Sequence, residues 1–134
     1  MVRLLIALDD RVPAANAQVD AVEDVVSVAD EREVWVLHVF GENPEGASVT
    51  QVEAARRASD RLAELGAEVH LLESSGDPAA EILRHAEEHD VDRICVGGRK
   101  RSPAGKALFG SVTQDVILGT DRPVLVCGST DGTA

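Results

Sequence analysis

Five short apolar runs alternate along the chain with longer stretches in which apolar residues recur every three or four positions. The runs cover residues 2–8, 33–40, 67–72, 93–96 and 123–127. Only Arg3 interrupts the first run, which is typical of a strand covered on both faces. The stretches at 13–29, 49–65, from 77 onward and at 111–118 have helical spacing. The pattern therefore predicts five strands that alternate with four helices.

Local residues predict where several helices begin and end. Gly66 follows the second helical stretch and is typical of a C-terminal cap. Asp77 followed by Pro78 places a capping acid before a proline at the first helical position. Ser111 with Gln114 three residues later resembles a capping box, so we expect Ser111 to cap the last helix.

Strict alternation of strand and helix predicts a parallel sheet with helices on both faces. Ligands of such sheets bind beyond the carboxyl ends of the strands, at the point where the strand order reverses. The loops after the first and fourth strands would meet there. The first carries Asp9 and Asp10, and the second is residues 97–111.

Residues 97–111 form a glycine-rich basic segment in a chain of net charge -11. The segment holds both lysines of the chain, Lys100 and Lys106, and no Asp or Glu occurs between residues 93 and 115. Its glycines allow backbone N–H groups to come close to a ligand, and a cationic turn between a strand and a helix suits phosphate. The alternative is a mobile basic loop that only reduces self-repulsion.

Composition narrows the possible partners. The 134 residues are enough for one domain, predicted to span residues 1–128, with a disordered tail at 129–134. An aromatic content of 2% and the strong negative charge argue against nucleic-acid binding. The chain enters a strand at once and has no long apolar segment, so we expect a cytoplasmic protein without membrane contact.

Two further compositional features allow alternatives. With 24 acidic residues and only two lysines, the chain suits a salt-rich, halophilic cytosol, or is simply an acidic protein. Cys95 and Cys127 lie in apolar runs, which favours buried free thiols over a disulfide or a metal pair.

Residues 85–89 match the His-x-x-Glu-His pattern of some zinc peptidases, but no third ligand is evident, and we predict no metal site.

Several motifs together resemble the universal stress protein family over almost the whole chain. The first strand ends in an acid, the second ends in Leu-His-Val, and a Gly-Asp-Pro opens the third helix. The family's phosphate signature is Gly, two residues, Gly, nine residues, then Gly and Ser or Thr. The positions that match these motifs are, in order, Ala7-Leu8-Asp9, Leu37-His38-Val39, Gly76-Asp77-Pro78, and Gly97 with Gly110-Ser111. In addition, Arg122-Pro123-Val124-Leu125-Val126 resembles the family's last strand, which often forms the dimer contact.

This resemblance implies a five-stranded parallel sheet of order 3-2-1-4-5, like that of adenine nucleotide alpha hydrolases. It also implies a homodimer formed through the last strand, residues 123–127, and a role as a stress sensor or regulator that binds ATP, with or without magnesium. Asp9 would reach the adenosine and Val39 would line the adenine pocket. The nucleotide-binding residues implied are Ala7, Leu8, Asp9, Val39, Gly97, Gly98, Arg99, Lys100, Gly110, Ser111 and Val112.

Two positions depart from the family pattern. Lys100 stands where the second signature glycine is expected, and Arg11 replaces the usual Ser or Thr two places after the acid. A lysine hinders close backbone approach but can place an ammonium on the phosphates. A slow ATP hydrolase is one alternative to a nucleotide-binding regulator, and Lys100 in place of glycine favours a second, a nucleotide-free dimeric scaffold.

Overall fold

The computed structural model describes residues 1–8, 12–40, 53–101 and 107–128, and of these only the backbone at 12–14, 98–101, 107–109 and 128. Strands and helices follow one another as the apolar pattern predicts, with one additional short strand. The elements are β1 (Val2–Ala7), α1 (Val12–Val28), β2 (Arg32–Phe40), α2 (Glu53–Glu64), β3 (Glu68–Ser75), α3 (Pro78–Glu88), β4 (Arg93–Arg101), β5 (Ala107–Phe109), α4 (Ser111–Gly119) and β6 (Val124–Gly128).

The sheet contains five parallel strands in the order β3-β2-β1-β4-β6. This is the predicted order 3-2-1-4-5, with β6 as the fifth predicted strand, so the fold prediction is confirmed. The order reverses between β1 and β4, whose carboxyl ends therefore open a crevice.

The short strand β5 pairs antiparallel with the far end of β4, Arg99 opposite Phe109 and Arg101 opposite Ala107. The prediction that the fourth strand ends at Val96 was wrong, since β4 continues to Arg101. Residues 97–101 have no apolar alternation, and their backbone pairing therefore left no signal in the sequence.

Each face of the sheet has its own apolar core. Leu4 and Ile6 of β1 pack on the face covered by α1 and α2, together with Val19 and Val22 of α1. Leu5, between them in sequence, points to the face covered by α3 and α4. Successive side chains of a strand alternate between the two faces, so burial on both sides requires the continuous apolar run seen in the sequence.

The ends of the elements confirm two local predictions and contradict a third. Gly66 has φ +85° after α2, and the Asp77 carboxylate accepts a hydrogen bond from the N–H of Ala80 at 2.9 Å. However, Gly110 is the N-cap of α4, and Ser111 is already its first helical residue. The capping-box prediction for Ser111 was therefore wrong, because the chain enters the helix one residue earlier than the pattern indicates.

Some predictions concern residues outside the described ranges: those for residues 9–11, the start of the second helix at 49–52 and the tail at 129–134. No helix in the described ranges combines the length and the apolar character needed to cross a membrane. Cys95 and Cys127 are buried and free, as predicted.

Candidate functional site

A cavity of about 330 Å³ lies at the carboxyl ends of β1, β2 and β4. This is the position where parallel sheets of this topology bind ligands, and the volume is at the lower end of the range for small-molecule sites. Its walls come from three strands and from the amino-terminal turns of α3 and α4. The lining residues are Ala7, Leu8, Leu37, Val39, Pro78, Ile82, Val96, Gly97, Gly110, Ser111, Val112 and Thr113.

Most of the residues proposed from the sequence meet at this cavity. Those that line it are Ala7, Leu8, Val39, Gly97, Gly110, Ser111 and Val112. The backbone of Gly98, Arg99 and Lys100 continues β4 beyond Gly97, and the Arg99 and Lys100 side chains lie outside the described part of the structure. Asp9 lies outside the described residues.

The amino terminus of α4 gives the cavity a polar end. The N-cap Gly110 makes no side-chain capping bond, and its carbonyl accepts the N–H of Gln114 at 3.1 Å. A Cβ built on Gly110 would meet no atom within 4 Å, so open space adjoins the helix terminus. The positive end of the helix dipole and the exposed Ser111 can therefore receive an anion.

Thr113 ties this helix terminus to the end of β4. Its side chain is 3% exposed, and its Oγ1 donates a hydrogen bond to the carbonyl oxygen of Gly97 at 2.9 Å. The bond joins two of the segments that line the cavity, the far part of β4 and the first turn of α4. Sequence reasoning missed Thr113, for which the only available signal was a hydroxyl residue in the first turn of the predicted helix.

Gln18 supports the cavity from the α1 side. Its side chain is fully buried, and its Nε2 donates a hydrogen bond to the carbonyl of Ala7 at 2.8 Å. A Cβ on Gly97 would lie 3.5 Å from the Cδ of Gln18, so the amide packs directly against that glycine. No sequence pattern indicated this role, because Gln18 stands beside the apolar stripe of α1 rather than within it.

The remaining wall of the cavity is apolar. Leu37 and Val39 of β2 face Ile82 of α3, and Val96 of β4 completes this part of the lining. None of the lining residues is titratable, so the described part of the cavity holds no candidate general acid or base. An apolar wall beside a helix terminus suits a ligand with a flat apolar ring and an anionic group.

Metal-ligating groups in the described residues lie elsewhere. Glu33, Glu68 and His70 each bring one ligand atom within 4.8 Å of the others, on strands β2 and β3. One carboxylate oxygen of Glu33, Oε1, is already engaged in an ion pair, since it lies 3.4 Å from Nη1 of Arg3. The two histidines of the zinc-like pattern do not belong to this group: His85 is buried, and its ring stacks on that of His89 at 5.9 Å.

The profile of the Universal stress protein family matches residues 1–128. The chain belongs to the universal stress protein family. Among curated relatives, the universal stress protein YxiE of Bacillus subtilis is 38% identical over 69 residues, which is 52% of this chain and 47% of YxiE. The aligned region thus spans about half the length of this relative.

Solved universal stress proteins share the fold over nearly the whole chain. One from Archaeoglobus fulgidus has a TM-score of 0.75 and 27% identity and covers 95% of this chain and 98% of its own. An Archaeoglobus fulgidus protein in complex with dAMP has a TM-score of 0.68 and 23% identity, with 95% and 98% covered. A family member from Arabidopsis thaliana with AMP bound has a TM-score of 0.71 and 16% identity, with 98% and 94% covered.

Proposed function

We propose that this universal stress protein binds an adenine nucleotide, ATP or its monophosphate, in the cavity at the carboxyl ends of β1, β2 and β4. One observation carries the proposal. The helix terminus at Gly110 and Ser111 opens into the same cavity as the apolar residues Val39 and Ile82. A single small ligand with a ring and a phosphate can therefore satisfy both parts of the site.

In this arrangement the adenine packs against the β2 and α3 side, and the phosphates lie at the amino terminus of α4. The helix dipole and the first backbone N–H groups stabilise the phosphate charge. Lys100 and Arg99 follow Gly97 in β4 and supply positive charge in place of the missing glycine. Asp9, next after Leu8, provides a carboxylate for the ribose or base, and magnesium would accompany a triphosphate.

The related structures with AMP and dAMP support adenine nucleotides as the ligand class. The described lining of the cavity contains no acid or base, and we assign the Asp9 carboxylate to the ribose or base rather than to the phosphates, which favours binding over hydrolysis. We therefore favour a cytoplasmic sensor or regulator over a hydrolase.

Calorimetric titration with ATP and AMP tests this proposal. Gly110→Val places a branched side chain into open space at the helix terminus, so it should preserve the fold while blocking the phosphate. We expect at least a tenfold loss of affinity, about 1.4 kcal/mol, relative to the wild type. Ala63→Val, exposed on α2 and outside the cavity lining, is the matched control and should bind normally.

Wild-type protein that binds neither nucleotide at low or molar salt would refute the proposal and favour the nucleotide-free scaffold. Equal affinity of the wild type and Gly110→Val would place the phosphate elsewhere. Release of phosphate from ATP by the wild type, lost in Gly110→Val, would favour the hydrolase.

We further propose a homodimer formed through residues 123–127. Strand β6 pairs with β4, and no other described strand pairs with it, so its second edge offers backbone groups to another chain. A two-fold contact between antiparallel copies closes the assembly without forming a filament. Light scattering at high salt decides this point: a mass near 14.2 kDa, that of one chain, would contradict the dimer.

A further inference from the structure

Two thiols meet in the core directly behind the candidate site. Cys95 of β4 and Cys127 of β6 lie on neighbouring strands, and their Sγ atoms are 3.2 Å apart. Cys95 is fully buried and Cys127 is 7% exposed, and both face the α1 side of the sheet. The two residues are 32 positions apart in sequence, so only the pairing of β4 with β6 brings their sulfurs together.

We propose that Cys95 and Cys127 are a redox modification site that forms a reversible intramolecular disulfide when the protein meets a peroxide. The proposal rests on the contact between the sulfurs and does not depend on nucleotide binding. An S–S bond is about 2.05 Å long, so the sulfurs need to approach by only about 1 Å.

The location of Cys127 allows this approach. Strand β6 pairs with β4 in a register that is irregular between Val96 and Arg99. Cys127, between Val126 and Gly128, lies in that irregular stretch, whereas Cys95 pairs with Leu125 just before it. A stretch with an irregular register has fewer regular backbone hydrogen bonds to lose, so it can shift locally. The small movement required therefore does not need the sheet to open.

The two thiols have different roles in the proposed reaction. The contact between the sulfurs lowers the pKa of Cys127, while the same contact and burial raise the pKa of Cys95. The thiolate is the reactive form, so Cys127 is the attacking group. Cys95 then acts as the resolving thiol.

The reaction proceeds in two balanced steps. The Cys127 thiolate attacks one oxygen of hydrogen peroxide, the O–O bond breaks, and a sulfenic acid forms while hydroxide leaves and takes up a proton to become water. The Cys95 sulfur then loses its proton and attacks the Cys127 sulfur, expelling the second oxygen as water. Both sulfurs are oxidised and the peroxide is reduced to two water molecules. An external dithiol reverses the change.

Gln18 connects this pair to the cavity. Its side chain hydrogen-bonds to the Cys95 sulfur as well as to the carbonyl of Ala7, and it packs against Gly97. When the Cys95 sulfur moves toward Cys127, the contact with Gln18 weakens at the base of the lining. On the proposed function, we expect oxidation to lower nucleotide affinity severalfold.

The test is titration of the folded protein with hydrogen peroxide, followed by unfolding, alkylation with N-ethylmaleimide and intact-mass measurement. In the wild type both thiols should become resistant to alkylation together, and the mass should be that of the reduced, unalkylated chain minus two hydrogen atoms. Proteolysis should then yield one cross-linked peptide pair. Dithiothreitol should restore both thiols. Cys127→Ser should leave Cys95 alkylatable, because the attacking thiolate is gone, whereas Cys95→Ser should carry a sulfenic or sulfinic acid on Cys127.

The proposal would be overturned if both thiols of the wild type stayed intact at a peroxide concentration that oxidises Cys127 in Cys95→Ser. Oxygen adducts without a cross-link in the wild type, or disulfides formed only between chains, would also overturn it. The nucleotide measurement separates the two proposals. A reduced protein that binds no nucleotide refutes the proposed function alone. A disulfide that forms without changing the affinity contradicts only the connection through Gln18.

Discussion

Replacing Thr113 with Val should destabilise the protein by removing one buried hydrogen bond. The Thr113 hydroxyl, 3% exposed, donates to the Gly97 carbonyl at 2.9 Å. Valine has nearly the same shape, so packing of the first turn of α4 is retained while the carbonyl loses its donor. Gly97 lies in the stretch where the register between β4 and β6 is irregular.

A buried acceptor left without a partner costs about 1–3 kcal/mol. For a domain of this size, each kcal/mol corresponds to a fall in Tm of about 3–5 °C. We therefore expect Thr113→Val to lower Tm by roughly 3–15 °C, measured by scanning calorimetry at constant high salt. Nucleotide affinity should fall as well, because Gly97 and Thr113 both line the cavity.

Thr113→Ser is the matched control, since it keeps the hydroxyl and removes only a methyl group. It should lie closer to the wild type than Thr113→Val in both Tm and affinity. If Thr113→Val melts within about 1 °C of the wild type, the bond to Gly97 contributes nothing measurable. If Ser is the more damaging substitution, methyl packing rather than hydrogen bonding holds the helix terminus.

Three further predictions concern stability. Gly66→Ala should lower the urea midpoint by an amount equivalent to about 1 kcal/mol or more, because Gly66 has φ +85° and a Cβ there would lie 2.8 Å from Nη1 of Arg32; an unchanged midpoint would contradict this strain. Burial, and then the neighbouring Arg84, lower the pKa of His85 below its usual 6.5. As pH falls, the unfolded chain protonates His85 before the folded chain does, so the free energy of unfolding should decrease below about pH 6.5. Urea titrations over this pH range should show the decrease in the wild type, and His85→Gln should lack this contribution. Finally, melts from low to molar KCl should move upward because screening relieves the repulsion of a chain with net charge -11, and a flat trend would remove the halophilic interpretation.

The sequence alone was sufficient to predict the layered fold. The uninterrupted apolar run of β1 required cover on both faces, and the alternation with helical stretches required parallel strands. The capping residues Gly66 and Asp77 marked helix ends correctly. These signals are local, because each depends on a few neighbouring residues and on their intrinsic conformational preferences, and so they are readable without a structure.

Only the tertiary structure decided how the site is assembled. The β4–β5 hairpin, the cap at Gly110 and the bond from Thr113 to Gly97 depend on which segments meet, and residue type does not encode that locally. The same holds for the contact of Cys95 with Cys127, which in sequence were two separate buried thiols. Periodicity determines which face of an element is buried, whereas the register between distant strands determines which individual atoms come within bonding distance.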